Sequence, residues 1–127
     1  MSPPLDARPS VRDDSPPPPT TPAVVVPVVG DVDAVSGPDL RAQLLSVVAS
    51  HDDDVIVDLT RVRVLSAAGV SMLVDVTRRL AGSGQRLRLV TGGGVVARTL
   101  VMAQATDVLD TYPTLEAAES VAPAWHG

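Results

Sequence analysis

The sequence predicts an α/β domain, and three observations carry that prediction. Val-rich runs alternate with segments of helical periodicity along most of the chain. One run, Val55-Ile56-Val57, is continuously apolar, as a strand buried on both faces requires. Small-residue turns, among them Ser66-Ala67-Ala68-Gly69 and Gly92-Gly93-Gly94, lead from strands into helices.

The elements follow in order. Ala23–Val29 is β-branched and reads as a strand, with Pro27 placing it at an edge or a bulge. Gly30-Asp31-Val32-Asp33 reads as a turn. Ser36-Gly37-Pro38 then opens a helix whose apolar positions are Leu40, Leu44, Val47 and Val48. Asp52-Asp53-Asp54 closes it as a solvated loop. Val55–Asp58 is the second strand, and Leu59–Leu65 a short connector. A helix is expected from about Ala67 to Ala81, with Ser66 as its N-cap and Gly82-Ser83-Gly84 as its stop. Gln85–Val90 alternates, with Leu87 and Leu89 on one side and Arg86 and Arg88 on the other. Val95–Gln104 is a third helix, Val108–Tyr112 a short strand, and Thr114–Val121 a last helix capped by Thr114.

Composition separates a tail from this domain. The chain has 127 residues, of which 45% are apolar, enough for one domain with a core. Eight of its 12 prolines fall between Pro3 and Pro22. A segment so poor in large apolar residues cannot offset its ordering entropy, so residues 1–22 are expected to be a disordered tail. Pro16–Pro19 would be extended there, as a solvated stretch by default or as a proline-motif ligand. Residues 23–122 are expected as the domain and 123–127 as a frayed end. The tail lacks the apolar region of a signal peptide. No run approaches the roughly 20 apolar residues of a membrane span. The cytoplasm is therefore the expected compartment.

Several function classes are disfavoured. The net charge is −5, and all ten basic residues are arginines without a basic stripe, which argues against nucleic acid or an anionic membrane as a direct partner. Aromatic residues are 2% of the chain, too few for a base-stacking platform. There are no cysteines, which excludes thiolate metal sites and cysteine nucleophiles. Gly92-Gly93-Gly94-Val95-Val96-Ala97 matches a dinucleotide fingerprint in letters, but it lies in the last third of a small domain instead of its first βα unit. Three consecutive carboxylates at Asp52–Asp54 cannot all turn toward one cation, so no metal site is assigned. His51 and His126 have no partner at ligand spacing. Asp58 is read as capping nearby amides. No catalytic residue and no cofactor is assigned, and the expectation is a binding module.

From about Val24 to Val121 the chain resembles the STAS domains, in particular the anti-sigma-factor antagonists. Val28-Val29-Gly30-Asp31-Val32-Asp33 is similar to the family's strand ending in G-E/D-x-D. Asp58-Leu59-Thr60-Arg61-Val62-Arg63-Val64-Leu65-Ser66-Ala67-Ala68-Gly69 is similar to its signature D-L-S/T-x-V-x-x-I/L-D-S-S/T-G. The resemblance implies a single STAS-like domain, a small mixed β-sheet with helices packed mainly on one face. It implies a partner that is an anti-sigma factor of the serine protein kinase type, whose capture releases a sigma factor. It also implies a phosphorylation switch in the turn, and there this chain departs. Ser66 stands at the family's Asp, and Ala68 at the usual phosphoacceptor, where no hydroxyl exists. Ser66 and Ser71 are the substitute acceptors.

The expected partner-binding residues are Ser66, Ala67, Ala68 and Gly69, flanked by Asp31 and Asp33 because strand-end turns of such a sheet share an edge. Two other readings remain open: a cytosolic accessory subunit of an ABC-type transport complex, and a small-molecule or nucleotide sensor using Gly92–Gly94. An edge strand at Val24–Val29 leaves room for a weak homodimer.

Overall fold

A computed structural model describes residues 21–121. The expected proline-rich tail, apart from Thr21 and Pro22, and the expected frayed end at 123–127 lie outside the described residues. Four strands alternate with four helices: β1 (Ala23–Val32), α1 (Gly37–Ser50), β2 (Asp54–Leu65), α2 (Ala67–Gly82), β3 (Leu87–Val90), α3 (Val95–Met102), β4 (Asp110–Tyr112) and α4 (Leu115–Glu119). The sheet order is β1-β2-β3-β4. Every pairing among the described strands is parallel, where a mixed sheet was expected. α1, α2 and α3 are thus crossovers between neighbouring parallel strands, which is the arrangement that strict β–α alternation demands.

The core sits between the sheet and α1, α2 and α3. Val26, Val55, Val57, Leu87 and Leu89 meet Leu44, Leu73, Val76, Leu80 and Leu100 there. On the opposite face Ile56 and Val90 pack against Ala118 of α4. The central strands are therefore covered on both sides, which is why Val55-Ile56-Val57 shows no polar alternation.

Two expectations change. Val55–Asp58 and the supposed connector after it form one strand of 12 residues. Pro27 pairs with Asp58 but Val29 with Arg61, and Gly30 pairs with Val62 but Asp31 with Val64. At both places β2 carries one more residue than β1. These bulges turn Leu59, Val62 and Leu65 inward at a spacing of three, so the run has no period of two and does not read as a strand. Pro27 sits at the first irregularity, on the strand at one end of the described sheet, as its missing amide favours.

The second change concerns Arg88. Arg88 alternates with Leu87 and Leu89 onto the opposite side of β3, and there it is fully buried. Its Nη2 donates to Asp54 Oδ2 at 2.6 Å and to the Thr21 carbonyl at 3.2 Å, and its Nη1 donates to the Ala118 carbonyl at 2.8 Å. Asp54 is accordingly the buried first residue of β2 and not part of a solvated loop. Charge pairing and two carbonyls replace water for a guanidinium that α4 covers.

The remaining boundaries move by a few residues. β3 starts at Leu87, because the Gln85 amide is still bonded to the Leu80 carbonyl at the end of α2, while its side chain donates to the carbonyls of His51 and Asp53. α3 stops at Met102, closed by Gln104 in the left-handed region at φ 56°.

Candidate functional site

The turn from β2 into α2 is built by its own residues. The Ser66 backbone is extended, and its Oγ accepts from the Gly69 amide at 3.2 Å. That satisfies one of the unpaired donors at the helix start, so the expected N-cap forms. The Ser66 amide in turn donates to the Val32 carbonyl at 2.9 Å. This bond fastens the turn to the end of β1, where Val32 pairs with Leu65.

Gly69 is needed for this junction. A Cβ at that position would lie 2.7 Å from the Val32 carbonyl oxygen and 2.9 Å from Leu65 Cδ1. Backbone meets backbone here, and any side chain would push α2 away from β1. Val70, the next residue, is buried, whereas Ala67 and Ala68 are exposed. The turn therefore presents two methyl groups to solvent on a rigid, capped helix start.

The adjoining turn from β1 into α1 is held by Asp33. Its Oδ1 accepts from the amides of Val35 and Ser36, each at 2.9 Å. The Ser36 hydroxyl donates to the Asp31 carbonyl at 2.6 Å. The Ser36 amide, then that of Val35, then the Ser36 hydroxyl hold the Asp33 carboxyl below the usual carboxylate range. Asp33 is thus a clamp on its own loop. Asp31 instead reaches outward and lies 3.5 Å from Arg63.

Between the two turns runs a shallow groove of about 370 Å³. Ala34, Gly37 and Pro38 form its α1 wall, and Ala68, Ser71 and Met72 its α2 wall, with Asp33 and Arg41 also at its margin. Asp33 and Ala68 therefore share one depression. Asp31 lines a neighbouring one, with Pro27, Val29 and Asp39. Ser66 is half-buried and lines neither. Arg41 is the residue that sequence reasoning missed. Its Nε and Nη2 both reach Asp75 Oδ2 at 2.8 Å, tying α1 to α2 beside the groove. The two residues are 34 positions apart, and no local pattern marks them.

The other candidates stay local. Asp58 Oδ1 accepts from the Thr60 amide at 3.0 Å and from the Thr60 hydroxyl at 2.7 Å, the expected capping role. His51 Nδ1 lies 3.0 Å from the Val47 carbonyl at the end of α1. Gly92 takes φ 65° near the Thr60 side chain, and α3 starts at Val95 after Gly94, which offers no side-chain cap. No group of three potential metal ligands occurs among the described residues.

A parallel sheet with three helices on one face, joined to a serine-capped turn beside the end of its first described strand, defines the class of protein. The STAS domain model matches residues 15–118, and the chain belongs to the STAS domain family. The fold is similar to the crystal structure of an anti-sigma factor antagonist from Mycobacterium paratuberculosis, with a TM-score of 0.68 and 27% identity over 76% of this chain and 81% of that one. It is also similar to the crystal structure of a putative anti-sigma factor antagonist from Thermotoga maritima, with a TM-score of 0.67 and 14% identity over 76% of this chain and 83% of that one. No curated protein matches the sequence significantly. No helix among the described residues is long and apolar enough to cross a membrane.

Proposed function

We propose that this chain is a non-enzymatic binding module of the cytoplasm that captures an anti-sigma factor of the serine kinase type and thereby releases a sigma factor. The observation that carries the reading is the likeness, at 27% identity, to the structure of an anti-sigma factor antagonist. The site is compatible with that role. Ala67 and Ala68 are small and exposed, and the groove beside them is shallow and mostly apolar. Such a surface docks closely without first shedding strongly held water.

Ala68 carries no hydroxyl, so the complex is not dissolved by phosphorylation at that position. Alanine here has the size and neutrality of an unmodified serine. The turn stays competent to bind as long as Ser66 caps it.

The test is capture of purified anti-sigma kinases encoded by the chain's own genome, with the wild-type chain and Ala68→Asp compared by calorimetry. A carboxylate at that position would be desolvated without a partner, and binding should weaken by at least about tenfold. Equal affinity for both proteins would show that the turn is not the contact. Failure of every kinase to bind would remove the antagonist reading.

A further inference from the structure

One face of the sheet is only half covered. Register partners in a parallel sheet share a face, so Val25 stands with Ile56 and Arg88, Pro27 with Val90, and Val29 with Arg61. α4 covers this face over Ile56 and Val90, and on β1 the packing reaches only Ala23. Beyond it Val25, Val29 and Val64 are 37%, 70% and 47% exposed, with Pro27 exposed between the two β1 valines. These residues form an apolar strip on the side of the sheet away from α1 and α2. Arg61, beside Val29, is also exposed, and its side chain has no hydrogen bond or ion pair among the described residues.

The chain enters the domain at the foot of this strip. The Thr21 amide donates to the Val121 carbonyl at 2.9 Å, just past α4, and the Thr21 carbonyl accepts from Arg88 at 3.2 Å. These bonds hold Thr21 on the α4 side of the sheet, where β1 begins. The residues before it, outside the described ones, include four consecutive prolines at 16–19 and the adjacent carboxylates of Asp13 and Asp14.

The lengths match. Asp14 and Asp13 stand seven and eight residues before Thr21, about 22–25 Å away at the rise of an extended proline-rich chain. Val29, with Arg61 beside it, stands eight residues after Thr21, about 26 Å along a strand. A segment that turns back at Thr21 brings both carboxylates to the level of Arg61 and the proline rings over Val25 and Pro27.

We infer that this strip is the docking site of the chain's own residues 13–19. The prolines bury their rings against Val25 and Pro27, and Asp13 and Asp14 pair with Arg61. Proline has no amide to donate, so the segment covers the face without adding a strand to the ladder. A proline tract is already extended, and docking removes little conformational freedom from it. The tether at Thr21 supplies an effective concentration of the order of millimolar, so contacts too weak to hold a separate peptide suffice. The α1–α2 groove stays open, because it lies on the other side of the sheet.

The test uses the full chain and paramagnetic NMR. The chain has no cysteine, so Ser15→Cys takes a single nitroxide label and leaves both carboxylates in place. In the isotope-labelled protein the amide signals of Val29, Arg61 and Val64 should lose most of their intensity, while those of Val101 and Met102 on α3 keep theirs. Arg61→Glu should restore the strip signals, and Asp13→Arg/Asp14→Arg added to it should quench them again. That second quenching distinguishes release of the segment from unfolding. An unquenched strip in the first protein, or quenching indifferent to Arg61→Glu, overturns the inference. Mixing nitroxide-bearing chain without isotope into isotope-labelled chain without nitroxide should leave the strip unquenched. Quenching in that mixture places a second copy on the strip and overturns the inference as well.

Discussion

Removing the Asp54 carboxylate should be among the most damaging single changes in the domain. The Arg88 side chain is 0% accessible, and its counter-ion contact is a 2.6 Å bond to Asp54 Oδ2. In Asp54→Ala the guanidinium keeps the carbonyls of Thr21 and Ala118, but no anion accepts its charge. Its Nε already has no partner. The same change removes the acceptor of the Arg86 amide, held at 2.9 Å by Asp54 Oδ1. Breaking a buried pair from one side costs about 3–5 kcal/mol, against a total of about 5–15 kcal/mol for a domain.

At about 4–8 °C per kcal/mol, this corresponds to a drop of at least about 12 °C in Tm. The reverse truncation should be milder. In Arg88→Met the Asp54 carboxylate retains the Arg86 amide and the Arg86 Nε at 3.5 Å, and it can draw on solvent near Arg86. Urea unfolding followed by far-UV circular dichroism gives both values. The double variant Asp54→Leu/Arg88→Met, with neither charge left to bury, should recover most of the loss. A cost below about 1 kcal/mol for Asp54→Ala, or a larger cost for Arg88→Met, would refute the reasoning.

Three further outcomes follow from single contacts. Gly69→Ala should destabilise the domain by about 2 kcal/mol or more and move α2 away from β1, because its Cβ would lie 2.7 Å from the Val32 carbonyl; denaturant titration and amide shifts at Val32 check this. Gln104→Gly should stabilise by about 0.5–1 kcal/mol. Gln104 closes α3 at φ 56°, with its amide on Val101 and that of Ala105 on Leu100, and an unchanged urea midpoint would count against strain there. Tyr112, the one tyrosine of the chain, is pushed up to about 12, first by burial and then by its 2.8 Å bond to Asp110. A raised folded pKa favours the protonated form, so its contribution is complete below the unfolded value of about 10 and is lost from there to about 12. Tyrosinate absorbance should report a midpoint near the upper value in the folded protein, and a midpoint near 10 would contradict the burial.

Much of the local structure was legible because its causes lie within a few residues. Ser66 caps α2 and Thr114 caps α4 through amides three residues on. Gly84 ends α2 as expected, with its own amide on Ala81 and that of Gln85 on Leu80. Pro27 announced an edge strand with a bulge. β2 was misread in its second half because its inward positions, Leu59, Val62 and Leu65, follow bulges set by pairing with β1. The burial of Arg88 was not legible because a period of two says which face a residue takes, but not whether that face is covered. The groove was half-legible: Ala68 stands in the signature and Ser71 two residues past it, but Arg41 belongs to the groove only through α1–α2 packing.

By itself the sequence determined the order of strands and helices, the capped turn at Ser66, and the absence of a hydroxyl at Ala68. These depend on backbone conformation and bonds between near neighbours, which residue identity specifies directly. The tertiary structure alone decided that Gly69 must lie against Val32, that Asp54 and Arg88 neutralise each other inside the domain, and that Ala68 and Ser71 face Arg41 across a groove. Those relations join residues 27 to 37 positions apart. They arise only when α1, α2 and α4 settle on the sheet and determine which side chains lose water.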